Sequence, residues 1–139
     1  MPNKTCLNVP VLDGFSAKGI GTDLLDQRRI ARVVEKQGER FARRILTPDE
    51  LLMWEKKSRS INFLAKRFAA KEAISKALGT GIAKGVGFQQ MMIHADELGK
   101  PLVELTGEAL TRAKSLAGQE VLLSLSDEGE MIVAFAVLT

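Results

Sequence analysis

The longest helical pattern in the chain places the strongest constraint on the fold. It begins after Ser60, a predicted N-cap, and ends near Leu78, where Gly79-Thr80-Gly81 follows. Glu72 falls near the middle of its apolar face, where a carboxylate is costly to bury without a partner. The pattern therefore predicts a helix with a carboxylate that needs a cation, a metal or strong hydrogen bonds. At about 100° per residue, the apolar face consists of Ile61, Leu64, Ala65, Phe68 and Ala69.

Helical patterns occupy most of the first half of the chain, and strand patterns most of the second. Thr47, Pro48 and Glu50 form a strong helix start, with an N-cap, a proline at the first helical position and a capping box. The uniformly apolar residues 131–138 predict a strand buried on both faces. The predicted elements are a strand at 15–22, helices at 26–37, 39–46, 48–57 and 60–78, strands at 88–95 and 101–106, a helix at 107–117, and strands at 120–126 and 131–138.

This order of elements predicts an α+β single domain, with the helices packed on a small, mostly antiparallel sheet. Residues 1–14 show little periodicity, so we expect a loose tail before a domain of residues 15–139. The longest apolar run, residues 131–138, is far shorter than the roughly 20 residues needed to cross a bilayer. The N-terminus also lacks the apolar core of a signal peptide, and we expect a cytoplasmic protein without a membrane partner.

Two rare residue types exclude whole classes of active site. The chain has one cysteine, Cys6, so no disulfide forms within it. It has one histidine, His94, in a strand pattern that favours a structural role. A catalytic triad would have to use that histidine, and zinc sites built from several His and Cys residues are excluded. An active site must therefore rest on carboxylates, Lys, Arg and backbone groups, which points to metal-assisted or phosphate chemistry.

Positive charge is concentrated in residues 26–76. This segment holds 14 Lys and Arg and 7 Asp and Glu, a net charge of +7, whereas the whole chain carries +3. It suits an anionic partner: nucleic acid, a phosphorylated ligand or an acidic protein. The chain has no Tyr and one Trp, so stacking platforms for single-stranded nucleic acid are sparse. The alternative to an enzyme is a non-enzymatic basic adaptor that binds an acidic protein or RNA through residues 28–44.

A glycine-rich segment, Gly19-Ile20-Gly21-Thr22-Asp23, contains a second notable carboxylate. It differs from a dinucleotide-binding fingerprint because Leu24 stands where the third glycine belongs. In one interpretation the glycines shape a turn and Asp23 caps the following helix. In the other, they hold Asp23 at a strand end, aimed at a site that it shares with Glu72. Two carboxylates on rigid elements suit Mg²⁺, which prefers oxygen ligands and keeps positions for substrate phosphates.

Three basic residues lie near Glu72 on the long helix. Lys76 is one turn further along on the same side, and Arg67 and Lys71 lie on a flank. The simplest interpretation of all three is a solvated basic face, and that of Glu72 alone is a structural salt bridge. Gly79-Thr80-Gly81 with Lys84 is a plain helix stop or a phosphate-contacting loop.

Several segments together resemble a known family. They are GIGTDLLDQRRI, FARRILTPDE, FLAKRFAAKEAISKALGTGI and DELGKPLVELTGEA, and RFAAKEAISKALGTG is the most specific. The chain resembles the holo-[acyl-carrier-protein] synthases, the small bacterial class of 4′-phosphopantetheinyl transferases, from about Lys18 to its C-terminus. The resemblance implies that the chain has the 4′-phosphopantetheinyl transferase fold and that it is an enzyme of fatty acid biosynthesis. Its reaction transfers 4′-phosphopantetheine from coenzyme A to a serine hydroxyl of apo acyl carrier protein and releases adenosine 3′,5′-bisphosphate.

The resemblance also implies roles for particular residues. Asp23 and Glu72 would be ligands of a required Mg²⁺, and Glu72 and Lys76 would be catalytic. Arg67, Lys76 and Gly79 would contact the phosphates of coenzyme A.

The remaining implied contacts are between proteins. Arg28, Arg29 and Arg32 would meet the acidic carrier protein, and the enzyme would be a homotrimer with active sites between subunits. No nucleic acid partner is expected. The chain departs from the usual family pattern at Asp26, Gln27, Asp127 and Met131.

Overall fold

The helices and strands of the computed structural model, which describes residues 16–139, follow the predicted order. The predicted tail, residues 1–14, lies outside the described residues. The α+β class and the single-domain architecture are confirmed. The elements are β1 (Gly19–Asp26), α1 (Gln27–Gln37), α2 (Glu39–Ile45), α3 (Pro48–Lys56), α4 (Ile61–Ala77), a 3-10 turn (Phe88–Gln90), β2 (Met91–Ala95), β3 (Pro101–Leu105), α5 (Gly107–Ser115), β4 (Val121–Glu128) and β5 (Met131–Leu138).

Side-chain caps fix the starts of three helices. Ser60 caps α4, and Thr47 and Glu50 form the predicted capping box of α3. The cap of α1 is Asp26, whose carboxylate accepts a hydrogen bond from the backbone N–H of Arg28 at 3.0 Å. The interpretation that Asp23 caps this helix is therefore wrong, and Asp23 is left free for another role.

The strands form two antiparallel sheets. The larger has the order β1-β5-β4, with Asp23 opposite Ala134 and Leu125 opposite the same residue on the other side. The smaller consists of β2 and β3. Because β1 runs from Gly19 to Asp26, the predicted strand at 15–22 begins and ends too early, and Asp23 lies inside the strand.

Two glycines allow β1 to lie directly against α4. A Cβ atom on Gly19 would come within 1.9 Å of the Ala77 carbonyl oxygen, and one on Gly21 within 2.1 Å of the Ala73 carbonyl oxygen. The interpretation of these glycines as turn residues is therefore wrong. They are strand residues whose missing side chains bring Asp23 close to the helix.

Helix α4 is enclosed on several sides rather than buried along one face. It packs on β1, β5, α1 and α2, and its alanines let the neighbouring elements approach closely. Of the predicted apolar face, Leu64, Ala65 and Ala69 are buried, whereas Ile61 and Phe68 are only partly buried. Glu72 is also half-buried, so it lies at an open border of the helix and not in the middle of a sealed face.

Strand β5 alternates between a buried and an exposed side. The prediction that it is buried on both faces is wrong for this chain, since the exposed side is apolar but uncovered. Its register places residues of β1 and β4 on the same side. We call this surface the apolar sheet face: Ile20, Leu24, Leu122, Met131, Val133 and Phe135, with exposed fractions of 38–66%.

Candidate active site

Three charged side chains meet where β1 packs on α4. Asp23 shares the inner face of the sheet with Leu25, and Glu72 and Lys76 are one helical turn apart on α4. Lys76 Nζ donates a hydrogen bond to the Thr22 carbonyl oxygen at 2.9 Å and lies 3.4 Å from Asp23 Oδ1. We call Asp23, Glu72 and Lys76 the open cluster, because Lys76 keeps 52% of its side chain exposed.

The two carboxylates of the open cluster are short of positive charge. Burial raises the pKa of Asp23, although its hydrogen bond with Lys76 and the charges of Lys76 and Arg29 act in the opposite direction. The pKa of Glu72 is raised by burial and also by the negative charge of Asp23. A cation bound between them would relieve both effects.

The donor set fits a hard divalent cation. Mg²⁺ is commonly held in proteins by one or two carboxylates, together with water and substrate phosphates. Asp23 and Glu72 supply two such carboxylates from a strand and a helix. In residues 16–139, no group of three or more His, Cys, Asp or Glu side chains could hold a metal ion, so a closed all-protein site is absent there.

Arginines of α1 border this site, and the structure distinguishes among them. Arg28, Arg29 and Arg32 are all exposed. Arg28 forms an ion pair with Asp26 at 2.6 Å. The charge of Arg29 acts on both carboxylates of the open cluster, and its guanidinium carbon lies 5.9 Å from the ring centroid of Phe68. Arg29 is therefore the arginine of these three that faces the site.

A cavity of about 330 Å³ lies beside Glu72. Aromatic side chains and two arginines form its walls, so it can receive a ligand with both apolar and anionic parts. Arg44 lines it, although sequence reasoning did not assign this residue to the site; its position three residues after buried Phe41 is the signal that could have placed it there. The wall includes Arg29, Arg44, Ile45, Phe68, Glu72 and Phe88.

Arg67 and Lys71 are not on a solvated face, and that interpretation is wrong. Lys71 is fully buried, and its Nζ atom lies 2.6 Å from Glu50 Oε1. Sequence reasoning missed this ion pair because Glu50 already had a role as a capping residue. Arg67 Nε lies 3.5 Å from Glu50 Oε2, and its guanidinium stacks on Phe63 at 4.5 Å from the ring centroid. We call Glu50, Arg67 and Lys71 the buried cluster.

The structure does not bring Arg67 together with the open cluster. Arg67 precedes Lys76 by nine positions, which places the two side chains about 180° apart around the helix. The side chain of Arg67 is 12% exposed, so little of its guanidinium reaches solvent.

Gly79 follows α4 in a left-handed conformation, with φ of 78°. It borders a second cavity of about 490 Å³, together with Thr80, Lys84 and Arg112. Arg112 Nε donates a hydrogen bond to the Leu78 carbonyl oxygen at 2.8 Å. The segment thus ends the helix and also forms the border of a cavity with two basic side chains.

His94 lies on the small sheet, with Nε2 3.0 Å from Glu104 Oε2 of the neighbouring strand. This pair joins β2 to β3. None of the described helices is long and apolar enough to cross a membrane.

Comparisons with known proteins agree on one family. The family model of the 4′-phosphopantetheinyl transferase superfamily matches residues 19–136. A holo-[acyl-carrier-protein] synthase of Shewanella amazonensis is 46% identical over 124 residues, covering 89% of this chain and 99% of that protein. One from Photobacterium profundum is 48% identical over 120 residues, covering 86% and 95%.

Solved structures give the same result. The crystal structure of holo-[acyl-carrier-protein] synthase from Neisseria meningitidis matches with a TM-score of 0.82 and 46% identity, covering 89% of this chain and 99% of that one. The enzyme from Helicobacter pylori, solved in complex with coenzyme A, matches with a TM-score of 0.75 and 30% identity, covering 86% and 99%.

Proposed function

Since this chain belongs to the 4′-phosphopantetheinyl transferase superfamily, as a holo-[acyl-carrier-protein] synthase, we propose that the open cluster is the centre of its reaction. The enzyme transfers the 4′-phosphopantetheine group of coenzyme A to a serine hydroxyl of apo acyl carrier protein and releases adenosine 3′,5′-bisphosphate. The observation that carries the proposal is the meeting of Asp23, Glu72 and Lys76 at one border of α4. The non-enzymatic adaptor, suggested by charge alone, finds no support among these relatives.

Asp23 and Glu72 would hold Mg²⁺. When bound, the ion supplies charge neutralisation to the phosphate oxygens of the diphosphate. The raised pKa of each carboxylate supports this assignment, because both reflect burial without sufficient positive charge.

Lys76 would contribute a second positive charge to the phosphates. Two of its three donors bind the Thr22 carbonyl oxygen and Asp23 Oδ1, which leaves one for a ligand on the exposed side of the ammonium group. Phosphate transfer depends mainly on alignment and charge neutralisation, so a lysine held at the strand and still half exposed suits the role.

Gly79 and Arg67 are the other proposed contacts to coenzyme A. Gly79 lies one helical turn beyond Lys76, beside the larger cavity. Arg67 faces a different side of α4 from Lys76, so a coenzyme that touches both must extend around the helix. The exposed portion of the Arg67 side chain is small, and we expect Arg67 to contribute less to coenzyme A binding than Lys76.

Arg28, Arg29 and Arg32 would receive the acidic carrier protein. All three are exposed on α1, which begins directly after the strand that carries Asp23. A carrier bound there would meet a positive surface next to Glu72, and opposite charges would steer its approach.

We further propose a cytoplasmic homotrimer with its active sites between subunits. The apolar sheet face supports assembly, because a contiguous apolar surface of six large side chains is typical of a protein interface. Covering it with other subunits would remove the exposed side of β5 from water.

Intact-protein mass spectrometry of an apo acyl carrier protein tests the proposed site. The carrier is incubated with this enzyme, coenzyme A and Mg²⁺, with a chelator in a parallel sample. We expect a mass gain of one phosphopantetheine, lost with chelator and in Asp23→Asn and Glu72→Gln. Glu97→Gln, at an exposed position between β2 and β3 and outside the proposed carrier-binding helix, is the matched control and should keep full activity. Wild-type rates in either site variant would contradict the assignment.

A further inference from the structure

The buried cluster ties together the elements that surround the cavity beside Glu72. Lys71 Nζ donates to Glu50 Oε1 at 2.6 Å, to the Ile45 carbonyl oxygen at 2.7 Å and to the Phe88 carbonyl oxygen at 3.2 Å. These bonds use all three hydrogens of the ammonium group. Ile45 ends α2 and Phe88 begins the 3-10 turn, so one side chain of α4 holds both segments.

Glu50 completes the connection from the opposite side. Its Oε1 atom also accepts a hydrogen bond from the Thr47 backbone N–H at 2.9 Å, and Oε2 accepts one from the Ile93 backbone N–H at 2.8 Å. The carboxylate therefore joins the start of α3 to β2 as well as to Lys71. Glu50 and Lys71 are both buried and all their bonds are internal, so neither is available to a substrate.

The segments held by this pair are walls of the cavity beside Glu72. Ile45 and Phe88, whose carbonyl oxygens bind Lys71, both line that cavity. Phe68, on α4, packs against Phe88 with ring centroids 5.7 Å apart. Lys71 itself directly precedes Glu72 in the chain, so the residue that fixes the walls also fixes the helix next to the proposed metal ligand.

A gain in the stability of the fold does not by itself explain why a charged pair is buried at this position. A buried ion pair loses much of its attraction to desolvation, and apolar side chains of similar volume often stabilise a protein equally well. What an apolar pair lacks is directed bonds to two backbone carbonyls and two backbone N–H groups. Such bonds fix the relative positions of four segments.

We propose that Glu50 and Lys71 are positioning residues, which hold α2 and the 3-10 turn in the geometry that the cavity beside Glu72 needs for transfer. The inference rests on the proposed function of the open cluster. Neither residue touches the substrate; both act through Ile45 and Phe88.

The test uses the double variant Glu50→Gln/Lys71→Met, which removes both charges at nearly constant volume. We expect kcat for the carrier to fall about 10- to 100-fold, the effect of small displacements away from the chemistry, while KM for coenzyme A changes less. Hydrogen exchange of residues 41–46 and 86–93 should accelerate, and that of residues 131–138 should stay at the wild-type rate.

Ile74→Ala is the matched control. Ile74 is fully buried on α4, about 160° around the helix from Glu72. Ile74→Ala should lower the urea concentration at the midpoint of unfolding. Its kcat should stay at the wild-type value under conditions in which the variant is folded. Should the double variant not fold, Glu50→Asp keeps the carboxylate charge for Lys71 but shortens the side chain by one methylene, and it repeats the test with a smaller expected effect.

Two results would overturn the proposal: wild-type kcat in the double variant, or exchange of residues 41–46 and 86–93 that does not change. A wild-type enzyme that fails to modify the carrier would instead count against the proposed function. The exchange experiment needs no substrate, so the two failures are distinguishable.

Discussion

Helix α4 carries two clusters of charged side chains that use similar residues in opposite ways. In the buried cluster, Lys71 and Glu50 satisfy each other and four backbone groups, and neither side chain is accessible. In the open cluster, Asp23 and Glu72 share the partly exposed Lys76, and the pKa of each carboxylate is raised by burial. A charge that is fully satisfied holds the structure together. A charge that is not fully satisfied is available to a ligand.

Removing one lysine from each cluster should give the largest difference in stability between the two clusters. Lys71→Met leaves a buried carboxylate without its main partner, and we expect the free energy of unfolding to fall by about 3–5 kcal/mol. Lys76→Met removes a half-exposed lysine and should change it by about 0–1 kcal/mol. Urea denaturation without metal measures both. Equal losses would show that burial does not separate the two clusters.

A second test asks what sets the geometry of the open cluster. Gly21→Ala places a Cβ atom 2.1 Å from the Ala73 carbonyl oxygen, so β1 must move away from α4. We expect a loss of about 1–3 kcal/mol in the free energy of unfolding. Transfer activity should fall as well, because Asp23 lies two residues further along the same strand.

Gly87→Ala is the control for this substitution. A Cβ atom on Gly87 meets nothing within 4 Å and its backbone is extended, so activity and stability should be nearly unchanged. Full activity in Gly21→Ala would show that Asp23 does not depend on the close contact of β1 with α4.

The smallest expected effect concerns pH. The folded-state pKa of Glu72 is raised, so the folded protein binds its proton more tightly than the unfolded chain does. Wild-type stability should therefore fall, relative to Glu72→Gln, as pH rises from the ordinary value of 4.5 through the raised pKa. Solvent screens this half-exposed group, so the difference at pH 7 should stay below about 1 kcal/mol.

Urea denaturation of both proteins from pH 4 to pH 7, without metal, measures this difference. Adding Mg²⁺ at pH 7 should stabilise the wild type more than Glu72→Gln, because only the wild type keeps both proposed ligands. A difference that grows as pH falls would have the wrong sign for a raised pKa.

Local signals predicted the starts of helices and singled out the two carboxylates of the open cluster, whereas the role of Lys76 came from the family resemblance. Thr47 with Glu50, and Ser60, cap their helices through hydrogen bonds that depend on neighbouring residues only. Glu72 stood out because it breaks an apolar pattern, and Asp23 because it follows two glycines. The structure places both beside Lys76, although the glycines act through close packing and not through a turn.

The buried cluster and the exposed side of β5 depend on contacts between residues that are far apart in the chain. The periodicity of a sequence does not predict such contacts. In the sequence Lys71 resembles a surface lysine, because its partner Glu50 is 21 residues away and only the fold brings the two side chains together. Residues 131–138 are apolar throughout, and one sequence does not indicate whether the second face is covered by the same chain. Arg44 was missed for the same reason, since the cavity that it lines is assembled from several separate segments.

The junction between β1 and α1 has a consequence for changing the choice of partner protein. β1 ends at Asp26 and α1 begins at Gln27, so no linker separates the strand that carries Asp23 from the helix that presents the arginines. The helix thus continues directly from the strand, and its exposed residues can be exchanged while Asp23, the proposed metal ligand, keeps its place on β1. With the proposed carrier-binding arginines on α1 and the proposed metal ligand on β1, partner preference can diverge on the helix while the strand stays the same.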